Sequence, residues 1–146
     1  MKFFILIFWF FSSSLTAKED QYFTIDYKNL IAKKNIKDLI GDLNRGKSIL
    51  SSRKVNCLSC HQAPIYEEKF QGNFGPSLFG VGSIYDRNEL RLRIINAKVI
   101  NPDSIMPSYY IKINNPRTPK KLLNKTILTA QEVEDLVEYL YSLKGL

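Results

Sequence analysis

The chain is poor in the side chains from which most metal and redox sites are built. Its 146 residues include two cysteines, one histidine, two methionines and one tryptophan. Two cysteines exclude a disulfide-dense scaffold. One histidine excludes a multi-histidine metal centre. No apolar run is long enough to cross a bilayer: Phe3–Phe11 has nine residues, against the roughly 20 that a helix needs. Compositional bias is absent too. Hydrophobic residues at 45% and charged residues at 24% are ordinary for a globular protein, and the length fits one domain. Met1 is the initiator, so chemistry that needs a thiol, imidazole or thioether rests on Cys57, Cys60, His61 and Met106.

The N-terminus combines Lys2, the apolar run and a small-residue stretch, Ser12-Ser13-Ser14-Leu15-Thr16-Ala17. This is the pattern of a secretory signal, with cleavage expected after Ala17 and the mature protein expected in the periplasm. A buried N-terminal helix is the alternative, but it would show a polar face and this run has none. Removing residues 1–17 leaves 129 residues, and the loss of Lys2 takes the formal charge from +7 to +6. A basic exported protein is not expected to bind nucleic acid or to insert stably in a membrane. No Lys/Arg block is expected to stand far from acidic residues, so a solvated surface and a steering role both remain open.

Residues 18–40 are weakly periodic and read as an extension, with at most a helical turn, ahead of a domain spanning 41–146. A helix is expected over 42–52, capped by Asp42 or Asn44, with Leu43, Ile49 and Leu50 near one face. Gly46 lies inside it at a cost of about 1 kcal/mol against alanine; close approach of another helix would explain it. All six prolines and four of the seven glycines fall within residues 61–119, which predicts loops and turns. One helix, about 88–98, interrupts them, introduced by the capping-box spacing of Asp86 and Glu89. A second capping box, Thr129-Ala130-Gln131-Glu132, opens the last helix. Its apolar stripe is Val133, Leu136, Val137, Leu140 and Leu143, with Lys144 at the dipole end and Gly145 as the stop. The one strand candidate is Tyr109–Ile113.

Cys57-Leu58-Ser59-Cys60-His61 is a CxxCH sequence. Two thiols at this spacing can each form a thioether with a haem vinyl group, which leaves the adjacent histidine beneath the iron. A redox dithiol is an alternative, but the βαβ frame it needs is missing. Half a zinc site is another, with no Cys or His left to complete it. A structural disulfide across two residues would close a strained loop. Met106, flanked by Pro107 and lying between the motif and the last helix, is the candidate second axial ligand. As alternatives, Met106 fills a core gap and a lysine or an open site takes its place. In Gly75-Pro76-Ser77-Leu78, a backbone carbonyl could accept from His61 Nδ1–H and strengthen the ring as a donor.

With these features the chain resembles a class I cytochrome c, an all-α fold whose N- and C-terminal helices cross at a glycine and an aromatic. Gly46 and Tyr139 stand in those places. Four stretches further resemble the SoxX family, the monohaem subunits of the SoxAX complex of thiosulfate oxidation. They are Gly41 to Gly46 with Asn56 to Pro64, Phe70 to Gly82, Glu89 to Ile95 with Asn101 to Tyr110, and Ile127 to Leu140. Residues 18–40 are not covered and 112–126 match poorly. The resemblance implies one covalent haem c on Cys57 and Cys60, with His61 and Met106 as axial iron ligands; the carbonyl expected behind the histidine, at Pro76, comes from the reading of residues 75–78 alone. The resemblance also implies a SoxA-like haem subunit as partner, in a complex that oxidatively couples thiosulfate to a carrier-protein cysteine. This chain would be the non-catalytic part, taking electrons and passing them to another cytochrome. The alternative is a free periplasmic monohaem cytochrome that shuttles electrons to an oxidase.

Overall fold

Helices form where the sequence supplies a cap and an apolar stripe. The computed structural model describes residues 22–145; the expected export segment 1–17 lies outside the described residues. Helix α1 runs Leu43–Ser51 and is capped by Asp42, which accepts from the Arg45 N–H at 2.7 Å. One helical turn, α2, spans Val81–Ile84. Helix α3, Arg87–Asn96, follows a reciprocal Asp86–Glu89 capping box, and α4, Ala130–Ser142, follows Thr129–Glu132. Each box satisfies backbone N–H groups that the first turn of a helix leaves open. The α4 stripe of Val133, Leu136, Val137 and Leu140 is buried with Leu50 of α1 and Leu90 and Ile94 of α3. Leu43 stays 42% exposed, so the α1 stripe is shorter than expected. Helix α4 ends at Ser142. Lys144 therefore falls past its last turn, where the ammonium sits 3.7 Å from the Tyr141 ring centre.

The helices meet at their backbones. Gly46 faces Asp135 and Tyr139: a Cβ at residue 46 would collide with the Asp135 carbonyl and come within 2.7 Å of the Tyr139 Cβ. Helix α4 is also held through its acids. Arg45 of α1 forks onto Asp135 at 2.8 and 2.9 Å. Arg91 of α3 forks onto Glu134 at 2.5 and 3.0 Å, and Arg87 onto Glu138 at 2.9 Å through both nitrogens. Such two-bond pairs fix geometry as well as charge.

Residues 22–34 correct the sequence reading. They form an antiparallel hairpin, β1 Phe23–Asp26 and β2 Ile31–Lys34, with Phe23 opposite Lys34 and Asp26 opposite Ile31. Asp26 closes the turn by accepting from the Lys28 and Asn29 N–H groups. Leu30 completes it at a positive φ of 53°. The hairpin docks on α3: Arg91 Nη1 donates to the Ala32 carbonyl at 2.7 Å, and the Phe23 ring meets Tyr110 edge-on at 5.1 Å. Tyr109–Ile113 is not a strand. The Tyr109 and Tyr110 N–H groups are taken by the Ile94 and Ile95 carbonyls near the end of α3, so they have no ladder to join.

Gly46→Ala should lower stability by about 1–3 kcal/mol or more through overpacking, read from denaturant melts. Asp135 supplies a pH test. Burial raises its pKa, but Arg45, the Asp42 N–H and Gln131 outweigh that and hold the carboxyl below its ordinary range. A lowered folded-state value stabilises above the unfolded pKa of about 3.9 and is lost as pH falls through the folded value. Asp135→Asn should therefore cost about 1–3 kcal/mol at neutral pH. That gap should close as pH drops below about 4; a pH-independent gap would deny the carboxylate charge any part.

Candidate functional site

The CxxCH residues lie on a tight turn rather than on the end of α1. The helix stops at Ser51, Asn56 adopts the left-handed conformation at φ 55°, and Cys57–Ser59 makes a 3-10 turn. Asparagine is among the few residues that tolerate that conformation. The Cys57 carbonyl then accepts from both the Cys60 and the His61 N–H, at 3.1 and 2.9 Å. Buried Leu58 anchors the turn in the core. Burial pushes the Cys57 thiol up to about 11, opposite to the depressed value that a reactive dithiol needs.

His61 is oriented from behind. Its Nδ1 lies 2.6 Å from the Pro76 carbonyl oxygen. A carbonyl can only accept, so Nδ1 carries the proton and Nε2 keeps its lone pair for a metal. Gly75 makes this approach possible: a Cβ there would stand 2.5 Å from His61 Cε1. The Gly75 N–H donates to the Cys60 carbonyl at 2.7 Å, which ties residues 75–76 to the motif.

Met106 arrives on a loop stapled to the last residue of α3 and to the 3-10 turn that follows it, Ala97–Val99. Lys98 Nζ donates to the Ser104 carbonyl at 2.8 Å, and Ser108 Oγ donates to Asn96 Oδ1 at 2.8 Å. Tyr109, buried three residues after Met106, donates its hydroxyl to the Val55 carbonyl at 2.9 Å. It thereby links the methionine loop to the segment that enters the cysteine turn.

These residues meet at one cavity of about 250 Å³. Its wall includes Cys57, His61, Pro76 and Met106, with Leu50, Val81, Leu90, Ile94, Leu136 and Leu140 around them. Cys60 is half-buried at the end of the 3-10 turn, outside that wall. A larger cleft of about 740 Å³ lies between the hairpin, α3 and α4. Its arginines are already engaged with Glu134 and Glu138, so it offers no comparable donor set. Thiol, imidazole and thioether on an apolar wall fit a haem. A further lining residue strengthens the fit: Arg93 is the charged member of the wall. Its guanidinium stacks 3.6 Å from the Tyr85 ring centre and donates to the Glu89 carbonyl. Among the described residues it has no carboxylate partner, whereas haem brings two.

The sequence alone did not mark Arg93 or Tyr109 as residues of the site. Arg93 had a signal: it follows Leu90 by three residues and precedes Ile94, which puts it on the apolar face of α3. The Tyr109 bond spans 54 residues, and no local pattern carries it.

Residues 43–144 match the family model described as cytochrome c. The chain belongs to the cytochrome c family. Membership gives it covalently bound haem c and an electron-transfer role. The class I fold expected from sequence holds, with the hairpin added. The structure is similar to that of SoxXA from P. pantotrophus, with a TM-score of 0.72 and 26% identity over 84% of this chain and 95% of that one. The resemblance to SoxX-type cytochromes thus extends to three dimensions. Among curated proteins, none matches the chain.

In this cytochrome, Tyr109→Phe should strand the buried Val55 carbonyl and cost about 1–3 kcal/mol. Thermal melts of the haem-loaded protein would measure it; an unchanged midpoint would show that the link between the two segments contributes nothing.

Proposed function

We propose that this cytochrome carries one haem c, joined by thioethers to Cys57 and Cys60, with His61 and Met106 as axial iron ligands. The observation that carries this reading is the apolar cavity whose wall unites Cys57, His61 and Met106. Haem supplies one-electron chemistry at its iron; the chain's own residues tune and protect it. The Pro76 carbonyl fixes the His61 ring and raises its donor strength. The leucine, valine and isoleucine walls exclude water. Methionine ligation raises the potential and favours accepting an electron. Arg93 provides a cation for a haem carboxylate. With both axial positions filled by protein, the iron is suited to electron transfer rather than to binding substrate.

The likeness to SoxXA supports a place in a SoxAX-like complex, and the export-signal pattern of residues 1–17 supports the periplasm as its compartment. There a SoxA-like haem subunit would be the stable partner and would carry the oxidative coupling of thiosulfate to a carrier-protein cysteine. This chain would accept the electrons and deliver them to another cytochrome. The absence of any cysteine beyond the CxxCH pair agrees with this division of labour.

Met106→Ala should abolish the methionine-to-iron charge-transfer band of the ferric protein and lower its potential; retention of both would exclude Met106 as ligand. Arg93→Gln should also lower the potential and make it more pH-dependent, while the methionine band persists. Affinity capture of the haem-loaded protein from its native periplasm, with haem staining, tests the complex. A second haem-bearing subunit in equal amount supports it. A cytochrome that comes down alone supports the free shuttle.

A further inference from the structure

Between Asp103 and Glu132 the chain has no acidic residue and five basic ones, Lys112, Arg117, Lys120, Lys121 and Lys125. The expectation that no basic block stands far from acids fails here. Residues 22–145 hold nineteen Lys/Arg and twelve Asp/Glu, so this one loop supplies five of their seven net positive charges.

The fold presents these charges together. Ile113 and Lys125 close the base of the loop: the Ile113 N–H donates to the Lys125 carbonyl at 3.1 Å, and the Asn124 N–H donates to the Ile113 carbonyl at 3.0 Å. Inside, Lys120–Leu122 makes a 3-10 turn. All five cations are exposed. Among the described residues none of them has a carboxylate partner, while Lys33, Lys34, Arg45, Lys47, Lys54, Arg87 and Arg91 each do. Leu122 and Leu123, 43% and 37% exposed, sit at the same turn.

Two features indicate what such a surface fits. The two-bond grips on carboxylates of α4 all come from arginine forks, and the one close lysine contact there, Lys54 on Glu132, is a single bond. The loop instead has four lysines to one arginine, and lysine is a point charge without a fork. Point charges suit a diffuse anionic field better than fixed carboxylates. Leucines beside lysines suit a boundary that is anionic outside and apolar just beneath. We propose that the 112–125 loop is a peripheral attachment site for an anionic lipid surface, with its lysines at the phosphate headgroups and Leu122 and Leu123 at the headgroup–acyl boundary. No helix among the described residues is long and apolar enough to cross a membrane, so this attachment is a surface contact.

Vesicle co-sedimentation of the haem-loaded protein tests the proposal. The probes are phosphatidylcholine vesicles with and without about 30% phosphatidylglycerol, in roughly 50 mM and roughly 500 mM salt. Binding should require the anionic lipid and fall at least tenfold at the higher salt. Lys120→Gln/Lys121→Gln/Lys125→Gln should weaken it at least tenfold at low salt. Leu122→Ser/Leu123→Ser should weaken it several-fold while leaving the salt dependence unchanged. A charge-matched control, Lys28→Gln/Lys37→Gln/Lys69→Gln, should bind as the parent does. An unchanged haem spectrum in each variant verifies folding. The idea is overturned if the control loses as much binding as the loop variant, because net charge alone would then explain attachment. It is equally overturned if vesicles do not bind and the loop variant instead loses a haem-bearing protein partner. Neither result depends on which residues ligate the iron.

Discussion

The backbone contact at Gly46 is the constraint on which the rest of the cytochrome depends. Glycine inside α1 costs about 1 kcal/mol in helix propensity, and close approach to the Asp135 carbonyl and Tyr139 is what it allows. Residues on both sides of the crossing form the cavity wall: Leu50 lies one turn beyond Gly46, and Leu136 and Leu140 flank Tyr139. The same crossing brings Asp135 to the start of α1, where it accepts from both Arg45 and the Asp42 N–H. Spacing the two helices further apart would loosen the back of the haem site and the N-terminal cap of α1 together.

Charge is used differently at three depths. In the interior, Arg91 and Glu134 are both buried and satisfy each other; removing one partner of such a pair typically costs about 3–5 kcal/mol. At the cavity wall, Arg93 is half-buried and held by a ring and a backbone carbonyl, with its charge left for a ligand. At the surface, the 112–125 loop leaves its cations to solvent. The near-neutral remainder of the described chain makes that loop the dominant source of its long-range field.

What could be read in advance was whatever local spacing encodes. Asp86 with Glu89 and Thr129 with Glu132 announced two helix starts, and the α4 stripe announced its buried face. Cys57, Cys60 and His61 are separated by so few residues that their chemistry is local too. The hairpin was illegible because its strands have four residues each and its turn uses Asp26 and Asn29 without glycine or proline. Its alternation of Phe23 and Ile25 was the available signal, and it is a short one. Tyr109–Ile113 was misread for the converse reason. Its aromatic and β-branched residues favour strands, but carbonyls at the end of α3 take its N–H groups. The role of Gly75 follows from a contact with the His61 ring across fourteen residues, which spacing alone does not reveal.

The hairpin's anchor also orders the assembly of the chain in time. Ala32 is made early, but its carbonyl is bound by Arg91, 59 residues later, and Arg91 is neutralised by Glu134, another 43 residues on. Docking the hairpin before α4 exists would bury a guanidinium without its carboxylate, which is strongly unfavourable. The first-made strand pair of the described chain therefore waits for the last helix. In a chain synthesised from its N-terminus, that makes closure of this side a late event, set by contacts distant in sequence.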